Sequence, residues 1–155
     1  MLKYFISYFF IYSGFIWAQI VNPVTISLDS EAPGRAGEVV NIHVDANMDD
    51  QWKIYSIYKI VDGPLPTEIS LSGDAVGMVG LVIEPKPIEE FDPGFDLTSF
   101  YHSGNTRFTI PVRLKRDLGP GNYDMVVSTF YQVCNNRLCY PPVMVNDTIT
   151  VILEP

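Results

Sequence analysis

Alternation of apolar and polar residues dominates the chain from residue 24 onward. Segments 40–46 and 108–114 switch between the two at every position, a period typical of β-strands that have one face on a core. Strands are predicted at 24–28, 40–46, 52–60, 68–71, 75–83, 108–114, 123–134 and 148–153. Turn-forming Gly and Pro separate these segments and none has a helical period, so the chain is predicted to be all-β. At this size, an immunoglobulin-like β-sandwich is the expected architecture.

Two segments interrupt this pattern. Pro111 lies inside the alternating segment 108–114 but has no backbone N–H, which predicts an edge strand or a bulge. Residues 84–100 are rich in proline, carboxylates and phenylalanine, which predicts a long loop. Long loops that expose aromatic side chains are often functional.

Residues 1–18 differ in composition from the rest of the chain. Lys3 is their only charged residue, and residues 4–17 are mostly apolar and aromatic. This run is shorter than the roughly 20 residues that a membrane-spanning helix needs. A positive start, an apolar stretch and the small residue Ala18 are typical of a secretory signal peptide. We therefore expect cleavage after Ala18 and a single exported domain at 19–155, with an uncleaved anchor as the alternative.

Composition and charge exclude several classes of function. The 155 residues include 10 Lys and Arg against 18 Asp and Glu, a formal net charge of −8. This balance argues against a nucleic-acid partner and against an anionic membrane surface. Two cysteines and two histidines make a poor zinc site, and nothing in the sequence brings His43 or His102 near the cysteines. No phosphate loop, nucleophile elbow or metalloprotease motif is present, so we expect no metal and no cofactor.

The cysteine pair is the sharpest chemical feature of the sequence. Cys134 and Cys139 flank four residues that begin with Asn-Asn, which is good turn chemistry for a hairpin. Opposed residues in a non-hydrogen-bonded antiparallel pair have Cα atoms about 4.5 Å apart, which is short but feasible for a disulfide. We therefore predict an intramolecular disulfide. Spacing alone leaves two interpretations open, an inert structural staple or a redox-active dithiol that exchanges with other proteins.

The motif YQVCNNRLCYPP and four upstream elements together resemble the N-terminal periplasmic domain of the thiol:disulfide interchange protein DsbD, also described as a disulfide bond corrector domain. The upstream elements are Trp52 and Tyr55 in QWKIYS, GPLPT at 63–67, GLVIEPKP at 80–87, and Asp-x-x-Phe at 92–95. The resemblance spans about residues 24–153, almost all of the predicted mature domain.

The resemblance implies an immunoglobulin-like sandwich that relays reducing equivalents through Cys134 and Cys139 in the periplasm. A membrane-embedded or thioredoxin-like donor would reduce the pair, and the pair would reduce thioredoxin-like periplasmic oxidoreductases. Cys139 would form the mixed disulfide and Cys134 would resolve it. Phe95, with Phe91 as second choice, would lie on a cap loop that shields the cysteine pair. The alternative role for either phenylalanine is a contact with the core or an anchor for the loop. The contrasting class of protein is a secreted binding module with an inert disulfide.

The remaining titratable residues receive plainer interpretations. His43 lies on the polar face of its predicted strand and is expected to be solvated. Glu89, Glu90, Asp92 and Asp96 are expected to form a solvated loop. If that loop covers the cysteines, its negative charge would disfavour the thiolate, because nearby carboxylates raise the pKa of a thiol.

Overall fold

The computed structural model describes residues 22–31 and 33–155, which form an all-β structure of eleven strands. The predicted signal peptide at 1–18 lies outside these residues. The strands are β1 (Val24–Ser30), β2 (Val39–Met48), β3 (Lys53–Tyr55), β4 (Glu68–Gly73), β5 (Val76–Val79), β6 (Ile88–Asp92), β7 (Leu97–Ser103), β8 (Asn105–Leu114), β9 (Gly121–Tyr131), β10 (Val133–Cys134) and β11 (Val143–Leu153). Within the described ranges, no helix has the length and apolar character needed to cross a membrane.

The strands form three antiparallel sheets around one hydrophobic core. Their orders are β1-β2-β8-β5, β10-β3-β7-β6 and β11-β9-β4. One cluster of buried apolar residues draws members from all three sheets, so the three sheets share one core. The predicted all-β sandwich is confirmed.

The centre of the first sheet shows how the sequence pattern produces this core. Val40, Ile42 and Val44 on β2 are opposite Val112, Ile110 and Phe108 on β8, and all six are almost fully buried. Burying each such side chain contributes about 1.5–3 kcal/mol. The intervening residues on both strands face outward and are polar, or in one case proline. The alternation predicted at 40–46 and 108–114 is therefore confirmed.

Of the two predictions for Pro111, the edge strand is wrong, and the irregularity of the β5–β8 pairing lies between Val76 and Met78, opposite Leu114 and Arg113, rather than at Pro111 itself. β8 lies between β2 and β5, and Pro111 is opposite Asn41 in a regular register. Its carbonyl accepts a hydrogen bond of 2.7 Å from the N–H of Gly80, just beyond the end of β5. The N and O atoms of one strand residue point to the same side. The missing N–H therefore faces a region where regular β5 pairing has ended, and proline is tolerated there.

Residues 84–100 contain a β-hairpin rather than the predicted long loop. β6 and β7 pair from Ile88 opposite Tyr101 to Asp92 opposite Leu97, and residues 93–96 form the turn. β6 is the edge strand of its sheet, and nearly all its residues are exposed. An edge strand that is exposed on both faces has no apolar alternation, so the sequence pattern did not reveal it.

Candidate functional site

Cys134 and Cys139 form a disulfide at the tip of a hairpin, as predicted. Their Cα atoms are 4.0 Å apart and the two residues are antiparallel partners. The N–H of Tyr140 donates to the carbonyl of Val133 at 2.9 Å, so the backbone hydrogen bonds flank the cysteines rather than join them. This is the non-hydrogen-bonded pairing expected from the sequence.

Asn135 organises the four-residue loop between the cysteines. Its side-chain Oδ1 accepts hydrogen bonds from the N–H groups of Arg137 (2.8 Å) and Leu138 (3.0 Å). Its own N–H donates to the carbonyl of Leu138 at 2.9 Å. The turn is therefore closed by local contacts, which is the usual role of asparagine at such positions.

The two cysteines of the disulfide differ in accessibility. Cys134, on β10, is only 1% exposed, whereas Cys139 is exposed. After Cys139 the chain enters Pro141 and Pro142 and leaves regular pairing until Val143. Thiol–disulfide exchange requires a thiolate to reach one sulfur, and Cys139 is the cysteine of the pair that is exposed to solvent.

An open cavity of about 290 Å³ lies beside Cys139. One wall is the intercysteine loop, and the other consists of Lys53, Tyr55 and the β6–β7 turn from Asp92 to Phe95. Phe95 is half-buried, and its ring meets the Tyr55 ring edge-on with centroids 6.0 Å apart.

The structure distinguishes the two phenylalanines proposed for the cap. Phe95 lines the same cavity as Cys139. Phe91 lies on β6, is 57% exposed and does not line this cavity. Phe95 is therefore the better candidate, and its shielding of the disulfide stays a prediction.

Asp92 is a buried carboxylate at the base of the β6–β7 turn. Its Oδ2 accepts hydrogen bonds from Lys53 Nζ (3.0 Å) and from the Tyr55 hydroxyl (2.9 Å), and its Oδ1 accepts one from the N–H of Gly94 (3.0 Å). Burial acts to raise the pKa of Asp92, but the hydrogen bonds from Lys53, Tyr55 and Gly94 outweigh it and hold that pKa below its usual value. Burial and the hydrogen bond to Asp92 both raise the pKa of the Tyr55 phenol. Asp92 is thus ionised, and Lys53 balances its charge.

A buried polar cluster supports the chain just after Tyr55. Glu84 accepts hydrogen bonds from the Ser56 hydroxyl (2.6 Å) and from the N–H of Ile57 (3.1 Å). Its Oε2 also lies 2.9 Å from Nε2 of His102, and both side chains are almost fully buried. Glu84 belongs to the GLVIEPKP motif, so that motif anchors the segment that follows β3.

The GPLPT motif reaches the same segment from another direction. The Thr67 hydroxyl donates to the carbonyl of Tyr55 at 2.5 Å, and the Thr67 N–H donates to the carbonyl of Ser56 at 3.1 Å. β3 ends at Tyr55, although a strand was predicted to continue to residue 60. Two motifs that are distant in sequence therefore hold the backbone beside Tyr55.

Sequence reasoning misjudged one charged residue near the cavity, Asp92, and overlooked another, Lys53. Glu89, Glu90 and Asp96 are exposed as expected, but Asp92 is buried. Lys53 was not singled out, because a lysine in a short strand carries no chemical signal of its own. The only hint was its position between the motif residues Trp52 and Tyr55.

His43 is also less solvated than expected. It is half-buried, and its Nδ1 lies 3.0 Å from the Thr109 hydroxyl. It does not line the cavity beside Cys139. Over residues 22–31 and 33–155, no group of three or more His, Cys, Asp or Glu side chains is arranged to hold a metal ion.

Known families and structures give a consistent comparison. A family model described as "Thiol:disulfide interchange protein DsbD, N-terminal" matches residues 22–150. Among curated protein sequences, none matches this chain significantly.

Three solved structures are similar to this chain. The DsbD N-terminal domain of Neisseria meningitidis in the reduced form is 19% identical, covering 77% of this chain and 85% of that one, with a TM-score of 0.49. The N-terminal periplasmic domain of ScsB from Proteus mirabilis is 16% identical, covering 86% of this chain and 47% of that one, with a TM-score of 0.55. The complex between the DsbD and PilB N-terminal domains from Neisseria meningitidis is 17% identical, covering 88% and 94%, with a TM-score of 0.50. The immunoglobulin-like β-sandwich is confirmed.

Proposed function

This chain belongs to the family of DsbD N-terminal domains, and from that premise we propose that its Cys134–Cys139 pair relays reducing equivalents between proteins of the bacterial periplasm. Membership identifies the chain as a thiol–disulfide exchange module. The observation that carries the relay is the unequal exposure of the two cysteines, since Cys134 is buried and Cys139 is exposed and lines a cavity. A relay needs one sulfur for the partner and one protected sulfur to resolve the complex.

The chemistry follows from this division of roles. The thiolate of Cys139 attacks one sulfur of a partner's disulfide, and the partner's other sulfur leaves as a thiolate with the bonding electron pair. The thiolate of Cys134 then attacks Sγ of Cys139, which closes the intramolecular disulfide and releases the partner's second thiolate. Two electrons pass to the partner, and the released thiolates take up the protons that Cys134 and Cys139 have lost. An electron donor regenerates the pair by the same steps in reverse.

Thioredoxin-like oxidoreductases are the proposed acceptors, and a membrane-embedded or thioredoxin-like domain is the proposed donor. Family membership supports these partner classes. The fold is also similar to that in a solved complex between DsbD and PilB N-terminal domains. A signal peptide at 1–18 would export the mature domain, 19–155. A periplasmic location agrees with the description of the similar ScsB domain as periplasmic.

The reduction potential of the pair separates the relay from an inert structural staple. We expect equilibration with a glutathione redox buffer, followed by thiol counting, to place it between about −270 and −120 mV, the span of thioredoxin-like proteins. Reduced thioredoxin should also reduce the pair in a stoichiometric mixture. A potential below about −300 mV together with resistance to thioredoxin would contradict the relay and support the staple.

A further inference from the structure

The turn that carries Phe95 is tied to the redox hairpin through strand β3. Lys53 on β3 is the direct register partner of Cys134 on β10. Its Nζ donates to Asp92 Oδ2 at 3.0 Å, and the Tyr55 hydroxyl donates to the same oxygen at 2.9 Å. One short strand thus contacts both the buried cysteine and the base of the turn.

Asp92 in turn holds the backbone of residues 93–95, which we call the cap segment. Its Oδ1 accepts a hydrogen bond from the N–H of Gly94 at 3.0 Å, and its carbonyl accepts one from the N–H of Phe95 at 3.2 Å. The Phe95 ring then packs edge-on against Tyr55. The position of Phe95 across the cavity from Cys139 therefore depends on Asp92 staying where β3 holds it.

The contact between β3 and Asp92 is well shielded from water. The side chains of Lys53 and Asp92 are only 13% and 8% exposed. Lys53 Nζ also lies 4.6 Å from the centroid of the Tyr101 ring, which adds a cation–π contact. Charge-assisted hydrogen bonds in such surroundings are stronger than exposed ion pairs and less screened by salt.

We propose that Lys53 and Tyr55 are positioning residues for thiol–disulfide exchange. Their hydrogen bonds to Asp92, which we call the latch, hold the cap segment across the cavity from Cys139. The strength of this latch sets how readily a thiol reaches Sγ of Cys139. The proposal rests on the function proposed above and adds its means of control. Lys53 and Tyr55 take no part in the reaction at either sulfur, and they act through Asp92 and Phe95.

The rate of disulfide reduction by dithiothreitol tests the latch, because this small reagent needs access but no docking surface. Tyr55→Phe removes one hydroxyl from Asp92 and keeps the ring that packs on Phe95. It should raise the rate by about tenfold, the factor that corresponds to about 1.4 kcal/mol of lost closed-state stability. Tyr101→Phe is the matched control, because its hydroxyl donates at 2.6 Å to Glu90, another carboxylate of β6 that does not hold the cap segment. Its rate should equal that of the wild type.

A second set of variants guards against misfolding and against a merely structural effect. Lys53→Met should also accelerate reduction, whereas Lys53→Arg, which keeps the charge and the donors, should restore a rate near that of the wild type. Circular dichroism checks that each variant is folded. If the latch acts through Phe95, Tyr55→Phe combined with Phe95→Ala should be no faster than Phe95→Ala alone.

Two outcomes would overturn the latch. One is an equal rate for Tyr55→Phe and Tyr101→Phe, and the other is a double variant in which the two effects multiply. Neither result bears on the reduction potential of the cysteine pair, so the proposed relay would stand. A potential below about −300 mV would instead remove the relay, while the rate comparison would still decide the latch.

Discussion

Tyr140 stacks on Trp52, with ring centroids 4.9 Å apart and planes inclined by 22°. Tyr140 directly follows Cys139, and its carbonyl also accepts a hydrogen bond of 3.1 Å from the Gln132 side chain. The backbone next to Cys139 is therefore held by the contacts of Tyr140, although the prolines that follow end its strand pairing.

Removing this stack should weaken both stability and exchange. We expect Trp52→Leu to lower the free energy of unfolding by about 1–2 kcal/mol, since an aromatic pair contributes beyond its buried area. It should also slow exchange with thioredoxin, because Cys139 loses its support. Urea unfolding followed by circular dichroism and stopped-flow exchange measure the two effects. Tyr58→Leu, a similar loss at a position that is 62% exposed, should change neither.

Shielding by the cap segment should depend on Phe95 and not on Phe91. Phe95→Ala widens the cavity at Cys139, so reduction by glutathione should accelerate several-fold while the domain stays folded. Phe91→Ala provides the control, because that side chain is exposed on β6 and does not line the cavity. Unchanged rates for Phe95→Ala would show that the cap segment does not limit access.

The unequal exposure of the cysteines predicts which one forms the mixed disulfide. Cys134→Ser leaves the exposed Cys139, which should attack a thioredoxin that keeps only its reactive cysteine, activated with thionitrobenzoate. Release of the coloured thiol and a covalent complex on a non-reducing gel are the readouts. Cys139→Ser leaves only the buried Cys134 and should yield almost no complex. The reversed pattern would refute this assignment of roles without refuting the relay.

Asp92 should make the domain sensitive to acid. Its folded pKa lies below that of an unfolded aspartate, about 3.9. Its contribution to stability is therefore complete above the unfolded pKa and is lost as the pH falls through the folded one. At pH 7, Asp92→Asn should cost about 1–3 kcal/mol, because a buried hydrogen-bonded charge is removed. The gap to the wild type should narrow as the pH falls below about 4.

Urea unfolding of both proteins at pH 7 and pH 3 measures that gap. The same change at an exposed position of the turn, Asp96→Asn, is the control and should stay within about 0.5 kcal/mol of the wild type. A gap that is equally large at both values of pH would mean that the charge of Asp92 contributes nothing.

The polar cluster behind the site should be important for stability. Glu84→Ala leaves the Ser56 hydroxyl, the Ile57 N–H and the His102 ring without their buried acceptor. We expect a loss of about 3–5 kcal/mol in the free energy of unfolding, the usual cost of breaking a buried pair. Glu89→Ala on the exposed edge strand should have an effect within about 0.5 kcal/mol. Similar small losses for both variants would contradict the supporting role of Glu84.

Features that depend on neighbours in the chain were predictable from residue order alone. The alternation at 40–46 and 108–114 identified the two central strands, because burial of one sheet face imposes a period of two. The disulfide was equally predictable, since only five positions separate Cys134 from Cys139 and the intervening turn is closed by its own asparagine. The family motifs could also be recognised in the sequence, but the contacts that their residues make could not be predicted from it.

Tertiary structure decided the features that depend on distant residues. Lys53 and Asp92 are 39 positions apart, and nothing local distinguishes a buried aspartate from its exposed neighbours Glu89 and Glu90. The hairpin at 88–103 was hidden because its edge strand needs no apolar face. The resemblance ranked Phe95 ahead of Phe91, but only the position of the hairpin turn shows that Phe95 lines the cavity and Phe91 does not. Sequence thus determined the strands and the disulfide with its loop through local periodicity and spacing, whereas the position of Lys53, Tyr55 and the β6–β7 turn beside that loop arises from long-range packing, which leaves no periodic trace.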